Sequence, residues 1–351
     1  MQHKYFAASN SSEGFRNYFP DVFGDVDRLY VIKGGPGTGK SSFMKKCASE
    51  AIQKGHHVEY YYCSSDPSSL DGVLIEKEGK HIGILDGTAP HVWEPTHPGV
   101  KEEIVNLGQF WNSELLGEQK NEIFALSNKK SAAYKRAYDY LRSCGNLRAV
   151  TDSLLRSATD MEKLRGAAER MVRSLDLPVG TLHTKPVILR AVAMTGKHRF
   201  DSFEVNADRI FWVGGFYGVG QVILDAVGEA LRGKAVTVRL SYDPVDPRHL
   251  DGIFIEDNRT AFLLAEGDDY DSDDSGKTVN PKRFIRAERL RRVRGELRYA
   301  TRLYQDCLDG ALHALSEAKV YHFLLEDIYK NAMDFAALTE FTKRFVGGLI
   351  Q

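Results

Sequence analysis

Gly34-Gly35-Pro36-Gly37-Thr38-Gly39-Lys40-Ser41-Ser42 follows the pattern GxxxxGKS, and its flanks are those the pattern needs. Leu29-Tyr30-Val31-Ile32 before it reads as a strand, and Phe43 to Ile52 behind it reads as a helix. The glycines let the backbone curl until successive N–H groups point inward, where the helix N-terminus adds the positive end of its dipole. Lys40 is expected to reach the β- and γ-phosphates of a nucleotide, and the Ser41 hydroxyl to hold Mg2+. A bare strand-to-helix turn needs neither the ammonium nor the hydroxyl, so Gly34 to Ser42 is read as a phosphate-binding P-loop.

The chain around this loop has 351 residues, enough for two domains of ordinary size. Its 47 Lys and Arg balance 48 Asp and Glu, which argues against a nucleic-acid partner held by a global basic field. Cys47, Cys63, Cys144 and Cys307 have no CxxC spacing, so neither a zinc site nor a disulfide framework is indicated, and a reducing cytoplasm suits them. No signal-peptide pattern opens the chain and no apolar run reaches membrane-spanning length. A cytoplasmic protein with no membrane partner is the expectation.

The chain repeats itself at an offset of 181 residues. Asp27-Arg28 is echoed by Asp208-Arg209, the strand Leu29 to Ile32 by Ile210 to Val213, and Gly34, Gly37 and Gly39 by Gly215, Gly218 and Gly220. Beyond the next helix, Asp66-Pro67 pairs with Asp243-Pro244, Leu70-Asp71-Gly72 with Leu250-Asp251-Gly252, Glu76 with Glu256, and Asp86-Gly87 with Glu266-Gly267. Polar pairs in the same order indicate a tandem duplication, with residues 1–178 and 179–351 as two repeats forming an intramolecular pseudo-dimer. The copies differ in chemistry: Gln221 and Val222 stand where the first has Lys40 and Ser41. The second loop is expected to keep its bend and to lose its cation and its Mg2+ hydroxyl.

Within the first repeat, Val58 to Cys63 reads as a strand ending at Ser64, Ser65 and Asp66. Carboxyl ends of neighbouring strands in a parallel α/β sheet face one crevice, which makes Asp66 a candidate for orienting water. VLIEK and HIGILD around Glu78-Gly79-Lys80 suggest a hairpin. Ile82 to Asp86 resembles a Walker-B strand, whose Asp86 would join Ser41 at Mg2+; a plain turn aspartate before Gly87 is the alternative. Thr88 and His91 follow as candidate sensors of nucleotide or substrate. His91, Glu94 and His97 do not have the spacing of a helical metal motif.

The remainder of each repeat has helical periodicity, and the break at Cys144-Gly145-Asn146 suggests an antiparallel helical hairpin. A second hairpin is expected over Leu290 to Ile328. Arg283, Arg286, Arg289, Arg291, Arg292, Arg294, Arg298 and Arg302 could bind nucleic acid or supply an arginine to a phosphate site, but a solvated helix face accounts for them better. Asp268 to Asp274 lacks the alternation of a Ca2+ loop and reads as a solvated acidic loop. Asp176 to Pro186 reads as the linker.

VIKGGPGTGKSS, YYYCSSDPSSLDG and ILDGTAPHVWEPTHPG together resemble a bacterial family, mainly of Firmicutes, of ATP-binding proteins built from two P-loop repeats. The resemblance covers most of the chain and implies a P-loop fold and ATP binding. Members often carry a complete loop in both halves, and this sequence departs from that in its second half. The expectations are therefore a three-layer, mostly parallel α/β fold, duplicated, and one competent Mg-ATP site with Lys40, Asp86 and Asp66 as catalytic residues. Hydrolysis of ATP leads, a small-molecule kinase is the alternative, and a slow nucleotide switch with a protein partner is the third reading.

Overall fold

The computed structural model describes residues 3–265 and 276–349. In the first half the strands are β1 (His3–Phe6), β2 (Ala8–Ser11), β3 (Gly14–Asn17), β4 (Arg28–Lys33), β5 (His57–Tyr62), β6 (Leu70–Lys77), β7 (Lys80–Asp86) and β8 (Glu102–Asn106). The helices are α1 (Phe19–Phe23), α2 (Lys40–Gln53), α3 (Ser113–Glu118), α4 (Lys120–Ala158) and α5 (Met161–Arg173). The main sheet runs β1-β5-β6-β7-β4-β8, with β6 antiparallel to both neighbours and every other pairing parallel. The expected hairpin joins β6 to β7, and Glu78 and Gly79 at its tip take φ of 53° and 76°, the positive values a tight two-residue turn requires.

The second half contributes β9 (His183–Val187), β10 (Arg190–Ala193), β11 (Gly196–Arg199), β12 (Arg209–Val213), β13 (Thr237–Tyr242), β14 (Leu250–Ile255), β15 (Thr260–Leu264) and β16 (Gly276–Val279). Its helices are α6 (Ser202–Asn206), α7 (Val219–Ala230), α8 (Ala287–Asn331) and α9 (Phe335–Leu349). Its sheet, β9-β13-β14-β15-β12-β16, repeats the first strand for strand and sense for sense. The molecule is thus α/β with two six-stranded mixed sheets, each mostly parallel. Glu266 and the acidic tract Asp268 to Asp274 lie outside the described residues.

The layering differs from the expected three layers per repeat. One face of each sheet is covered by the longer helices, and the other faces share one core, in which Tyr5, Leu29 and Val31 and the α1 residue Phe23 meet Val187, Ile210 and Leu263 and the α6 residue Phe203. The short helices α1 and α6 cover part of the inner faces, and each sheet completes the cover of the other. Gly72 and Gly83 make room for α1, since a Cβ on either would lie 2.6 or 2.8 Å from the Phe23 ring. Among the inner-face contacts is a buried ion pair between the halves, in which Arg239 donates from both terminal nitrogens to Glu59, at 2.6 and 3.1 Å.

The expected helical hairpins are not formed. α4 runs unbroken for 39 residues through Cys144-Gly145-Asn146, and α8 for 45 residues. The two pair antiparallel with one another across the repeats, through Ala137, Leu141, Cys144, Leu308, Ala311 and Leu315. Each then delivers its terminal helix to the other half. Leu164, Ala168 and Val172 of α5 pack with Ile223 and Leu224 of α7, and Leu338 and Val346 of α9 pack with Phe43 and Met44 of α2. Packing explains the continuity: a glycine inside a helix costs about 1 kcal/mol, but Gly145 is buried and a Cβ on it would lie 2.5 Å from Ser12. None of the helices among the described residues is long and apolar enough to cross a membrane.

Candidate functional site

β4 hands the chain to the loop and α2 takes it back at Lys40, with Gly37 and Gly39 at φ of 70° and 84°. Such values are open to glycine and strained for other residues. Thr38 Oγ1 closes the loop on the Gly35 carbonyl at 2.9 Å. Lys40 Nζ donates to the carbonyls of Gly34 and Gly35 at 3.0 and 2.7 Å, and stands 3.6 Å from Asp86 Oδ2. Ser41 Oγ accepts from the Leu70 N–H at 2.9 Å. Among the described residues no side chain caps α2, and no acidic residue sits in its first turn, so nothing on the helix itself neutralises its positive end.

Asp86 ends β7, the strand beside β4, and its Oδ1 accepts from the Thr88 N–H and hydroxyl at 2.9 and 2.6 Å. Asp71 comes from the next strand, which runs the other way and so begins at the same edge. His91 links the two aspartates, Nε2 lying 3.2 Å from Asp71 Oδ2 and Nδ1 2.7 Å from the Asp86 carbonyl. Burial alone would lower the His91 pKa, but Asp71, aided by Asp86, lifts it to about 9. Both ring nitrogens then donate at neutral pH. The ligand atoms of Asp71, Asp86 and His91 lie within 4.8 Å of one another, yet a charged imidazolium is a counter-ion and not a metal ligand. Ser41, Asp86 and Asp71, all on this cavity edge, offer oxygen donors of the kind a hard cation takes.

A cavity of about 1220 Å³ follows the carboxyl edge of the sheet from the loop toward Asn10. Gly34 to Ser42, Asp66, Asp86, Thr88 and His91 all line it, so the residues nominated from sequence share one space. Asp66 also caps a turn there, its Oδ1 accepting from the Ser68 N–H and hydroxyl at 3.1 and 2.7 Å. Glu94 and His97 lie apart: Glu94 pairs with Lys33 at 2.7 Å, and His97 is exposed. The eight arginines from Arg283 to Arg302 are exposed on and before the first half of α8, in keeping with a solvated face.

Sequence reading missed three contributions. Asp71 was visible only as part of the repeated LDG signature. Lys130 arrives from α4, and His322, Glu326 and Lys330 from the far end of α8; no local motif marks any of them. The α8 end lies directly on the loop, because a Cβ at Gly35 would meet the Tyr329 ring at 2.6 Å and one at Gly37 the Glu326 carbonyl at 2.6 Å.

The second loop departs from the expected bend. Phe216 to Gly218 wind into a 3-10 turn, and α7 starts at Val219, ahead of Gln221, the counterpart of Lys40 that opens α2. The Phe216 and Tyr217 rings pack against the adjacent core, a burial that has no counterpart in Gly35 and Pro36. Gln221 is buried, donating to Asp243 at 2.7 Å and accepting from Arg148 of α4. That arginine fills the loop mouth, since a Cβ on Gly218 would lie 2.5 Å from its guanidinium. Beside it, His249 is held between Asp225 at 2.7 Å and Asp152 at 3.1 Å.

Comparison of the chain with protein-family models, with curated proteins and with solved structures gave no match.

Proposed function

We propose that the chain is a Mg2+-dependent ATP hydrolase with one competent site, in its first half. The observation that carries this reading is the convergence of the Lys40 ammonium, the Ser41 hydroxyl, the Asp86 carboxylate and the uncapped α2 N-terminus on one cavity. An ammonium and inward N–H groups are what a triphosphate needs for charge, and they stabilise the charge that develops on phosphoryl transfer. Lys40 would leave the Gly34 and Gly35 carbonyls and take up phosphate oxygens. Ser41 and Asp86 would hold Mg2+, which neutralises phosphate charge, with Asp71 beside them. Asp66, or a residue of the loop after β7, orients a water whose oxygen attacks the γ-phosphorus. The bond from phosphorus to the β–γ bridging oxygen breaks, ADP leaves, and the water proton passes to the carboxylate or to solvent. ATP in particular is named on the resemblance of the three quoted strings. In the second half Gln221 and Arg148 take the place of the cation and of the ligand, which supports a single site.

A kinase reading stands second, favoured by the cavity's extent: about 1220 Å³ exceeds the roughly 300–1,000 Å³ typical for one small ligand. Both readings share one test. Purified protein is expected to bind MgATP and release phosphate, and Lys40→Ala to abolish both. Nucleotide binding that survives Lys40→Ala overturns the site assignment, whereas ADP formation that depends on an added acceptor favours the kinase.

A further inference from the structure

Lys130 sits on the α4 face that lines the cavity, within electrostatic reach of Lys40 and in helical register with Tyr134 and Tyr138, which line it too. It is half-buried, and among the described residues its ammonium has no hydrogen-bond or ion-pair partner. Long charged side chains are seldom held in a cleft without one. Burial and the neighbouring Lys40 charge both lower its pKa; Asp86 stands 3.6 Å from Lys40, whereas no carboxylate among the described residues pairs with Lys130. An anion entering between the two lysines relieves their repulsion.

The second half provides an internal comparison. The bridges Trp111 to Met333 and Thr159 to Ile285 are related by an offset of 174 residues, which places α4 on α8 and Lys130 on Tyr304. Tyr304 lies within electrostatic reach of Asp243 and Arg148, so it faces the second loop as Lys130 faces the first. The loop with Lys40 is thus met by a lysine, and the loop with Gln221 by a phenol. The two losses on the second side concern one ligand charge.

We propose that Lys130 reads the terminal phosphate of the nucleotide, making the site selective for a triphosphate over a diphosphate. This rests on the nucleotide reading above. The loop holds the phosphate chain against the sheet edge with Lys40 at its β- and γ-phosphates, and Lys130, which neighbours Lys40, meets the terminal group from the α4 side. A diphosphate leaves Lys130 untouched.

Calorimetric titration of MgATP and MgADP into the full chain tests it, with circular dichroism to verify folding. Lys130→Met is expected to weaken MgATP about tenfold or more, the share of one charge-assisted contact, and to leave MgADP within about twofold. Lys130→Arg, which keeps the charge, is expected to stay near wild type for both. Equal weakening of both nucleotides, or no weakening of either, overturns the proposal while the nucleotide site stands. Failure of the wild-type chain to bind MgATP removes the nucleotide reading itself, and the proposal with it.

Discussion

At the scale of single residues, the two histidines next to the loops carry charge for the same reason: carboxylates outweigh burial. For His249 burial lowers the pKa, but hydrogen bonds to Asp152 and Asp225 raise it to about 10. Its folded value lies above its unfolded one, so the stabilisation is complete below about 6.5 and is lost as pH rises through about 10. His249→Gln should therefore cost on the order of 2–4 kcal/mol at pH 6, and the gap to wild type should close by about pH 10.5. Urea denaturation of both proteins across that range measures it, and a gap that stays constant with pH would show that the imidazolium is not the source. Residues at this scale were unevenly legible. Lys40, Ser41 and Asp86 could be read because their partners are adjacent in sequence or ride on the next strand. Asp71, Lys130 and Arg148 could not, because what gives each its role is a group brought near only by an antiparallel strand or a crossing helix.

Among the elements, α4 is one helix where the sequence suggests two. Cys144-Gly145-Asn146 has the composition of a break, and glycine does weaken an isolated helix. Here Gly145 is buried in the middle of α4, where a Cβ would lie 2.5 Å from the Ser12 Cβ. Its lack of a side chain lets the β2–β3 turn approach, and tertiary packing overrides propensity. Gly295, in α8, is exposed and has nothing within 4 Å of its would-be Cβ. Alanine should act with opposite signs at these sites. Gly145→Ala is expected to destabilise by about 1–3 kcal/mol through overpacking, and Gly295→Ala to stabilise by about 0.4–1 kcal/mol through helix propensity. Thermal denaturation of the two variants decides, and a stabilising Gly145→Ala would mean that the turn yields freely. Strand elements were easier to read, since β4, β5 and the β6–β7 hairpin are set by local alternation and turn chemistry.

For the whole molecule, the repeat in sequence and the repeat in strand order agree, yet the halves are not separable in packing. α5 covers the second sheet, α9 covers the first, and between the two sheets Phe23 of α1 and Leu29 pack in one core with Phe203 of α6 and Leu263. The Glu59 and Arg239 pair lies in that interface, Arg239 also standing over the Tyr5 ring at 5.2 Å. Burial would raise the Glu59 pKa, but Arg239 holds it at about 2, so the carboxylate depends on a partner from the other half. Separation would break the Glu59–Arg239 contact, leaving Arg239 with Glu256 of its own half, and would expose an apolar face to water, a large cost against a total stability of about 5–15 kcal/mol. Residues 1–178 and 179–351 made as separate chains should consequently fail to fold alone, and should form a one-to-one complex when refolded together. Size-exclusion chromatography and heat-capacity scans of each fragment and of the mixture test this. A cooperative, monomeric unfolding transition from residues 1–178 alone would show that the exchanged helices only decorate two self-sufficient units. Co-refolding that restores MgATP binding absent from residues 1–178 would tie the site to α8, whose Glu326 and Tyr329 close over the loop.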